Sequence, residues 1–145
     1  MIIAGIGCRR GTSAAAISAA IDAALARAGL TKGALAAIAA PAAKGDEPGI
    51  AATASALGVT LVLVAQDDLE AAGRRGHTRS PRVMALMGVP SVAEAAALAA
   101  GGPVARLVTA RTVVGPATCA LAQVGTATSR GRASRSQSDD GGETP

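Results

Sequence analysis

The sequence contains no phenylalanine, tyrosine or tryptophan. A hydrophobic core must therefore be built from valine, leucine, isoleucine, methionine and the many alanines, with small side chains and close approach of backbones. Proteins that read single strands or RNA usually stack the bases on aromatic rings, so their absence argues against a nucleic-acid partner, even though the formal net charge is +4. A small anionic metabolite suits the scattered positive charge better.

Metal-binding and targeting patterns are missing from the sequence as well. Cys8 and Cys119 form no C-x-x-C pair, and the single histidine, His77, cannot build a histidine-based zinc site, so we expect no metal and no cofactor. No apolar run approaches the length of a membrane span, and the start of the sequence lacks the basic residues of a secretory signal. We therefore expect no membrane association, a cytoplasmic location and reduced thiols.

Composition divides the chain into a folded domain at residues 1–124 and a polar tail at residues 125–145. The tail consists mainly of Ser, Thr, Arg, Gly and Asp with almost no apolar residue, a composition that predicts disorder. Its three basic and three acidic groups cancel, so the net positive charge belongs to the folded part.

The hydrophobic pattern of the folded part predicts an α/β fold. Short apolar runs that begin at Ile2, at residue 35 and at residue 59 read as strands, the last covered on both faces, and a helix signal follows each of them. Two further strands, at residues 105–110 and 118–124, are close enough for a hairpin. We expect a three-layer α/β/α sandwich with a mostly parallel sheet of about five strands and a C-terminal antiparallel hairpin.

Helix boundaries are marked by capping residues and glycines. Glu47 suits the positive end of the helix that begins at Pro48, and Asp67 is interpreted as the cap of the next helix. A short helix is predicted at residues 82–87. Ser91 and Glu94 form a capping box for the helix that follows.

The strongest candidate for a binding site follows the first strand. There the sequence Gly5-Ile6-Gly7-Cys8-Arg9-Arg10-Gly11-Thr12 leads into a helix. In an open α/β sheet such a turn lies at the carboxyl end of the strand, where ligands bind, and the first N–H groups of the helix attract anions. The spacing is that of neither a Rossmann nor a P-loop fingerprint. In the alternative interpretation, the glycines only let strand and helix pack closely and the two arginines are solvated.

The chain resembles the CobE family of cobalamin biosynthesis, which also occurs as the C-terminal domain of CbiG proteins. The matching segments, in family order and spacing, are residues 5–12, 44–49, Gly88 with 91–98, and 107–108 with 118–122. The resemblance implies a corrin-pathway domain with an α/β/α fold. Arg111 stands where the family often has a lysine after the penultimate strand. The N-terminal and linker regions of CbiG are not matched, so its opening of a cobalt-precorrin lactone ring is not carried over.

The resemblance also implies a class of ligand, because corrin-pathway intermediates are macrocycles fringed with carboxylates. Arg9, Arg10, Lys44 and a basic segment, Arg74, Arg75 and His77, suit such a ligand through charge-assisted hydrogen bonds. The candidate ligand-binding residues are Gly7, Cys8, Arg9, Arg10, Gly11, Thr12, Lys44, Glu47, Glu94 and Thr118. Simpler roles compete for some of them: packing for Cys8, the helix start for Glu47, and the capping box for Glu94.

Three functions remain open at this point. The first is a binding module that holds or hands on a polycarboxylate precorrin or corrin intermediate, with other enzymes of the corrin pathway as candidate partners. The second is a hydrolase that acts on a lactone or acyl group of that intermediate. The third is a generic small-anion-binding α/β domain. We favour binding because no set of nucleophile, base and orienting residue can be assembled, so no catalytic residue is assigned. The sequence leaves the oligomeric state open.

Overall fold

A computed structural model describes residues 1–75 and 91–125 of the chain. Its strands are β1 (Ile2–Cys8), β2 (Leu35–Pro41), β3 (Thr60–Val64), β4 (Arg106–Val114) and β5 (Ala117–Gln123). Its helices are α1 (Ala14–Ala28), α2 (Pro48–Leu57), α3 (Gln66–Gly73) and α4 (Val92–Gly101), with short 3₁₀ turns at Lys32–Ala34 and Ala42–Lys44. The helix predicted at residues 82–87 and nearly all of the predicted tail lie outside the described residues.

The five strands form one sheet in the order β3-β2-β1-β5-β4. The pairs β1–β2 and β2–β3 are parallel, whereas β5 runs antiparallel to both β1 and β4. The α/β class, the five strands and the C-terminal hairpin are thus confirmed, but the prediction of a mostly parallel sheet was wrong. The sheet is mixed because the hairpin inserts β5 between β1 and β4, which makes both of its pairings antiparallel.

Helices cover both faces of the sheet, which confirms the three-layer sandwich. Alternate residues of β1 point to opposite faces, as strand geometry requires. Ile2, Ala4 and Ile6 join the core cluster beneath α1 and α2, whereas Ile3 packs beneath α3 and α4. No helix within residues 1–75 and 91–125 has both the length and the apolar character needed to cross a membrane.

The alanine-rich core allows α4 to lie directly on the backbone of β1. A Cβ at Gly5 would overlap the carbonyl oxygen of Ala93 and would come within 2.6 Å of the backbone nitrogen of Ala97. Ala95, Ala96 and Ala97 are fully buried in this contact. A larger side chain at these positions would push the helix off the sheet, so the absence of aromatic residues is matched by close packing of backbones.

Strand β3 departs from its predicted environment. It lies at one border of the sheet, and Leu63 is 47% exposed, so the expected coverage on both faces was wrong. A border strand has a neighbour on one side only, and the flanking helices reach only part of it. The predicted cap Asp67 is likewise displaced: the cap of α3 is Ala65, and Asp67 lies in the first turn.

Candidate functional site

The ends of several strands and the starts of several helices lie together at one end of the sheet, where they could form a binding site. The parallel strands β1, β2 and β3 all end there, and the β4–β5 hairpin turns there. Helices α1, α2 and α3 start from the same end, and the start of α4 lies beside Gly7. We call this end the carboxyl end of the sheet. The positive N-terminal ends of four helices lie there, on one side of the molecule.

The loop after β1 is fixed by backbone hydrogen bonds. The backbone nitrogen of Arg9 donates to the carbonyl oxygen of Pro116 in the hairpin turn at 3.2 Å. The backbone nitrogen and the hydroxyl of Thr12 both donate to the carbonyl oxygen of Arg9, at 3.2 and 2.6 Å. Gly11 has a φ of +76°, a left-handed conformation that favours glycine. The two arginines are therefore carried on a loop of defined shape.

Glu47 holds this loop from the neighbouring segment of chain. Its side chain is only 7% exposed, and its Oε1 accepts a hydrogen bond from the backbone nitrogen of Gly11 at 2.9 Å. Glu47 occupies the cap position of α2, but its side chain does not cap that helix. Its side chain therefore does not serve the start of α2, as the simpler role predicted. It links the loop before α2 to the loop after β1. The Gly11 amide is already satisfied from within the protein.

Two residues missed by the sequence analysis dock α2 onto the same loop. A Cβ at Gly49 would overlap the carbonyl oxygen of Thr12. The buried Thr53 hydroxyl lies 2.7 Å from the carbonyl oxygen of Gly49 and 3.4 Å from that of Ala14, which links α2 to the start of α1. The Pro48-Gly49 pair at the start of a helix is a sequence signal that could have indicated the close contact between Gly49 and Thr12. A threonine one turn later carries no comparable signal.

Cys8 lies on the α1 and α2 side of this site and is half-buried. Burial raises the pKa of its thiol above the ordinary value. The positive charge of Lys44 and a hydrogen bond with Thr12 lower that pKa, and the charge of Glu47 raises it, but these are smaller effects than burial. The thiol therefore stays protonated near neutral pH, which is the opposite of an activated nucleophile.

The positive charges at the carboxyl end are open to a ligand. Arg9 and Arg10 are exposed and Lys44 is half-buried. Within residues 1–75 and 91–125, Lys32 forms an ion pair with Asp22 at 3.6 Å. In the same residues, no carboxylate oxygen lies within 4 Å of the charged nitrogens of Arg9, Arg10 or Lys44.

Gly7, Thr118 and Glu94 lie on the α4 side of the carboxyl end. Gly7 pairs with Thr118 across β1 and β5, and both are half-buried. Glu94 is fully buried, so it has no surface for a ligand to touch. Its backbone nitrogen donates to the Ser91 hydroxyl at 3.4 Å, which provides one half of the predicted capping box. Its carboxylate accepts from the backbone nitrogen of Arg111 at 3.0 Å.

Arg111 lies within β4 rather than after it, at one of two places where the pairing of β4 with β5 shifts register. Its N–H points to Glu94 on one face of the sheet, and its carbonyl oxygen accepts from Arg27 of α1 on the other, at 3.3 Å. Arg27 also donates to the hydroxyl of Thr112 at 2.6 Å. The two helical layers thus satisfy backbone groups that the ladder leaves unpaired.

The basic segment expected to join the site does not do so where it is described. The guanidinium of Arg75 donates to carbonyl oxygens at the far end of α4, those of Leu98, Gly102, Pro103 and Ala105, at 3.2–3.4 Å. This is the opposite end of the sheet, so Arg75 stabilises a helix terminus there. Arg74 precedes it at the same end, and His77 lies outside the described residues. In the described part of the chain, no cluster of three or more His, Cys, Asp or Glu residues could hold a metal ion.

Sequence and structure comparisons agree on the relatives of this chain. Residues 2–122 match the family model described as "Cobalamin synthesis G C-terminus". Protein CobE from Sinorhizobium sp is 37% identical over 121 residues, which cover 83% of this chain and 79% of the relative.

Three solved structures share the fold. CobE, described as a protein from the cobalamin (vitamin B12) biosynthetic pathway, matches with a TM-score of 0.78 at 37% identity over 84% of this chain and 89% of that one. The cobalamin biosynthesis protein ChiG of Agrobacterium tumefaciens matches with a TM-score of 0.66 at 41% identity, over 87% and 100% of the two chains. A cobalamin biosynthesis protein G homolog from Sulfolobus solfataricus matches with a TM-score of 0.63 at 22% identity, over 86% of this chain and 37% of its own length, which is a likeness of fold alone.

Proposed function

Because this chain is a cobalamin-biosynthesis protein of the CobE and CbiG C-terminal family, we propose that it binds a polycarboxylate precorrin or corrin intermediate at the carboxyl end of its sheet. In this role it holds the intermediate or hands it to another enzyme of the pathway. The cytoplasmic location expected from the sequence is part of the same proposal.

One observation carries the proposal: Arg9 and Arg10 are exposed, lack a carboxylate partner among the described residues, and stand on a loop of fixed shape. Hydrogen bonds to Glu47 and Pro116 hold the loop in one shape. The conformational entropy of ordering the loop is therefore lost when the protein folds and not when a ligand binds. Guanidinium groups form paired hydrogen bonds with carboxylates. Such a loop is suited to an anion with several carboxylates, as the intermediates of this pathway are.

The test is a titration of the wild type and the Arg9→Ala and Arg10→Ala variants with uroporphyrin, a flat tetrapyrrole that carries acetate and propionate groups. We expect each variant to bind at least about thirtyfold more weakly, a loss of about 2 kcal/mol. Thermal stability should change by less than about 1 kcal/mol because both side chains are exposed. The protein has no Phe, Tyr or Trp, so the near-ultraviolet absorption, like the visible absorption, comes almost wholly from the ligand.

Arg106→Ala is the matched control for this titration. Arg106 is also an exposed arginine, but it pairs with Gln123 at the opposite end of the sheet. Its removal lowers the net charge by the same amount and should leave binding within about threefold at moderate salt. Equal weakening in all three variants would indicate a diffuse charge effect. Wild-type affinity in both loop variants would show that the arginines are solvated and that the ligand binds elsewhere.

A hydrolytic role is less well supported by the site. Cys8 is the thiol that directly precedes the loop, and burial raises its pKa. No histidine lies within the described residues to act as its base, since His77 is outside them. Cys8→Ala should therefore retain uroporphyrin binding within about tenfold.

A further inference from the structure

The loop after β1 has two features of a phosphate-binding loop, because it contains glycine and leads into the start of a helix. Loops of that kind hold phosphate with backbone N–H groups that point toward the anion. In this chain, hydrogen bonds within the protein engage four of these donors before a ligand arrives. The N–H groups of Arg9, Gly11, Thr12 and Ala16 donate to the carbonyl oxygen of Pro116, the carboxylate of Glu47, the carbonyl oxygen of Arg9 and the hydroxyl of Ser13.

Glu47 differs from the other three acceptors because it carries a negative charge. Its side chain is 7% exposed, whereas Gly11, whose N–H it accepts, is exposed. Burial is the main reason that the pKa of Cys8 is raised, and the charge of Glu47 adds to it, so the field of Glu47 reaches the end of β1. A carboxylate bonded to a glycine N–H beside a helix start occupies the position that a small anion takes in a phosphate-binding loop.

The start of α1 is covered by the neighbouring helix. A Cβ at Gly49 would lie 3.2 Å from the backbone nitrogen of Ala14, the first residue of α1. The first turn of α2 therefore lies against the N-terminus of α1 and blocks one approach to it. The guanidinium groups of Arg9 and Arg10 stay exposed. Guanidinium groups on separate side chains suit carboxylates that are spaced apart on a large ligand.

We propose that Glu47 determines the specificity of the site: its carboxylate occupies the Gly11 N–H and so denies the loop to phosphate and other compact anions. Recognition is left to the side chains of Arg9 and Arg10, which select ligands whose carboxylates are spread around a rim. This inference rests on the proposed function for the place of the site and for the ligand that it accepts. Loss of the Glu47 oxygen should turn the loop into a phosphate site.

The test is the Glu47→Ala variant, whose melting temperature is measured in inorganic phosphate and in chloride at the same ionic strength. In the wild type, the two salts should differ only by the general effect of phosphate on protein stability. In Glu47→Ala the Gly11 N–H lacks its acceptor. There, about 20 mM phosphate should raise the melting temperature by at least about 3 °C beyond the rise in the wild type. The same phosphate should weaken uroporphyrin binding about tenfold more in this variant than in the wild type, because both anions then need the same loop.

Glu47→Gln and Ile21→Val are the matched controls. Glu47→Gln removes the same charge but keeps an oxygen that accepts from Gly11, so it should respond to phosphate as the wild type does. Ile21 is fully buried in the middle of α1. Ile21→Val lowers stability without changing the loop and shows how phosphate acts on a destabilised protein. Its response should also equal that of the wild type.

A phosphate effect confined to Glu47→Ala supports the inference. An equal effect in Glu47→Gln would show that charge, rather than occupation of the N–H, excludes phosphate, and the inference would be wrong. It is also wrong if Glu47→Ala responds no more than the wild type, stays unfolded in both salts, or is stabilised by phosphate that does not displace uroporphyrin. Because the melting measurements contain no tetrapyrrole, they test the exclusion of phosphate separately. A wild type that binds no uroporphyrin would overturn the proposed function but not that exclusion.

Discussion

The thiols of Cys8 and Cys119 lie on adjacent strands, and burial raises the pKa of both, but they differ in how deeply they are buried. Cys119 on β5 pairs with Ile6 of β1 and is fully buried in the core beneath α1. Burial raises its pKa to about 12. Cys8, two residues further along β1, is half-buried, and its pKa is raised by burial against the opposing charge of Lys44. Cys119 should therefore be unreactive in the folded protein.

The buried thiol predicts a loss of stability in alkaline solution. Unfolded Cys119 loses its proton near its ordinary pKa of 9.0, whereas the folded protein keeps it. The unfolded state thus binds fewer protons above that pH, and the free energy of unfolding falls as pH rises from 9.0 toward about 12. The slope from this one group is at most about 1.4 kcal/mol per pH unit. Urea unfolding followed by far-ultraviolet circular dichroism, below and above pH 9.0, measures it.

Cys119→Ala provides the control for this pH dependence. The variant loses packing at every pH, because the side chain is fully buried. Its stability should nevertheless decline less steeply in alkali. The absence of tyrosine from the sequence removes one other group that titrates in this window. If the free energy of unfolding fell equally steeply with pH in both proteins, the alkaline loss of stability would not come from Cys119.

At the level of elements, β4 is shaped by the helices on both sides of it. Its register shifts twice against β5. At the second shift the backbone of Arg111 bonds to Glu94 of α4 and to Arg27 of α1. A border strand with interrupted pairing is a poor template for another strand. No local pattern marks the second of these shifts, because the side chains that bond to Arg111 are 17 and 84 residues away in the sequence.

Replacement of Glu94 tests whether its carboxylate holds the bulge. Glu94→Ala leaves the N–H of Arg111 without this acceptor and should cost about 1–3 kcal/mol of unfolding free energy. Glu94→Gln keeps an oxygen at the same place and should cost less. Urea unfolding of both variants measures the difference. If Ala is tolerated as well as Gln, the contact with Arg111 contributes little.

Element boundaries were predictable from the sequence where they depend on local chemistry. The glycines after α1 and α2 end those helices in the left-handed conformation, and Ser91 begins α4 as its cap. The mixed sheet and the exposure of β3 were not predictable in this way. They depend on which strands become neighbours, which is decided by contacts between segments distant in sequence.

For the whole molecule, two of the motifs that carried the family resemblance, residues 5–12 and 44–49, meet at the carboxyl end of the sheet. The loop after β1 and the loop that holds Lys44 and Glu47 contact each other directly. The nature of that contact was not predictable, because a carboxylate of residue 47 bonding to a backbone nitrogen of residue 11 leaves no pattern in the sequence. The docking of Gly49 on Thr12 escaped prediction for the same reason. The ligand-binding role of these residues stays a prediction.

The boundary between the domain and the tail lies just after β5. The end of β5 is tied to the start of the chain, since the backbone nitrogen of Val124 donates to the carbonyl oxygen of Met1 at 2.9 Å. Gly125 still packs closely against Val104. The residues after it have almost no apolar side chain and carry three basic and three acidic groups. By composition they cannot repay the entropy of ordering, and their removal leaves the net charge unchanged.

Truncation after Gly125 should therefore keep the melting temperature within about 2 °C of the full chain and should leave uroporphyrin binding unaltered. Truncation after Ala122 is the matched comparison. It removes Gln123, which pairs with both Ile2 and Arg106, as well as the bond from Val124 to Met1. This shorter chain should melt several degrees lower, because two neighbouring strands lose their last partner. If the first truncation destabilises the protein as much as the second, the tail packs against the domain and the boundary predicted from composition is wrong.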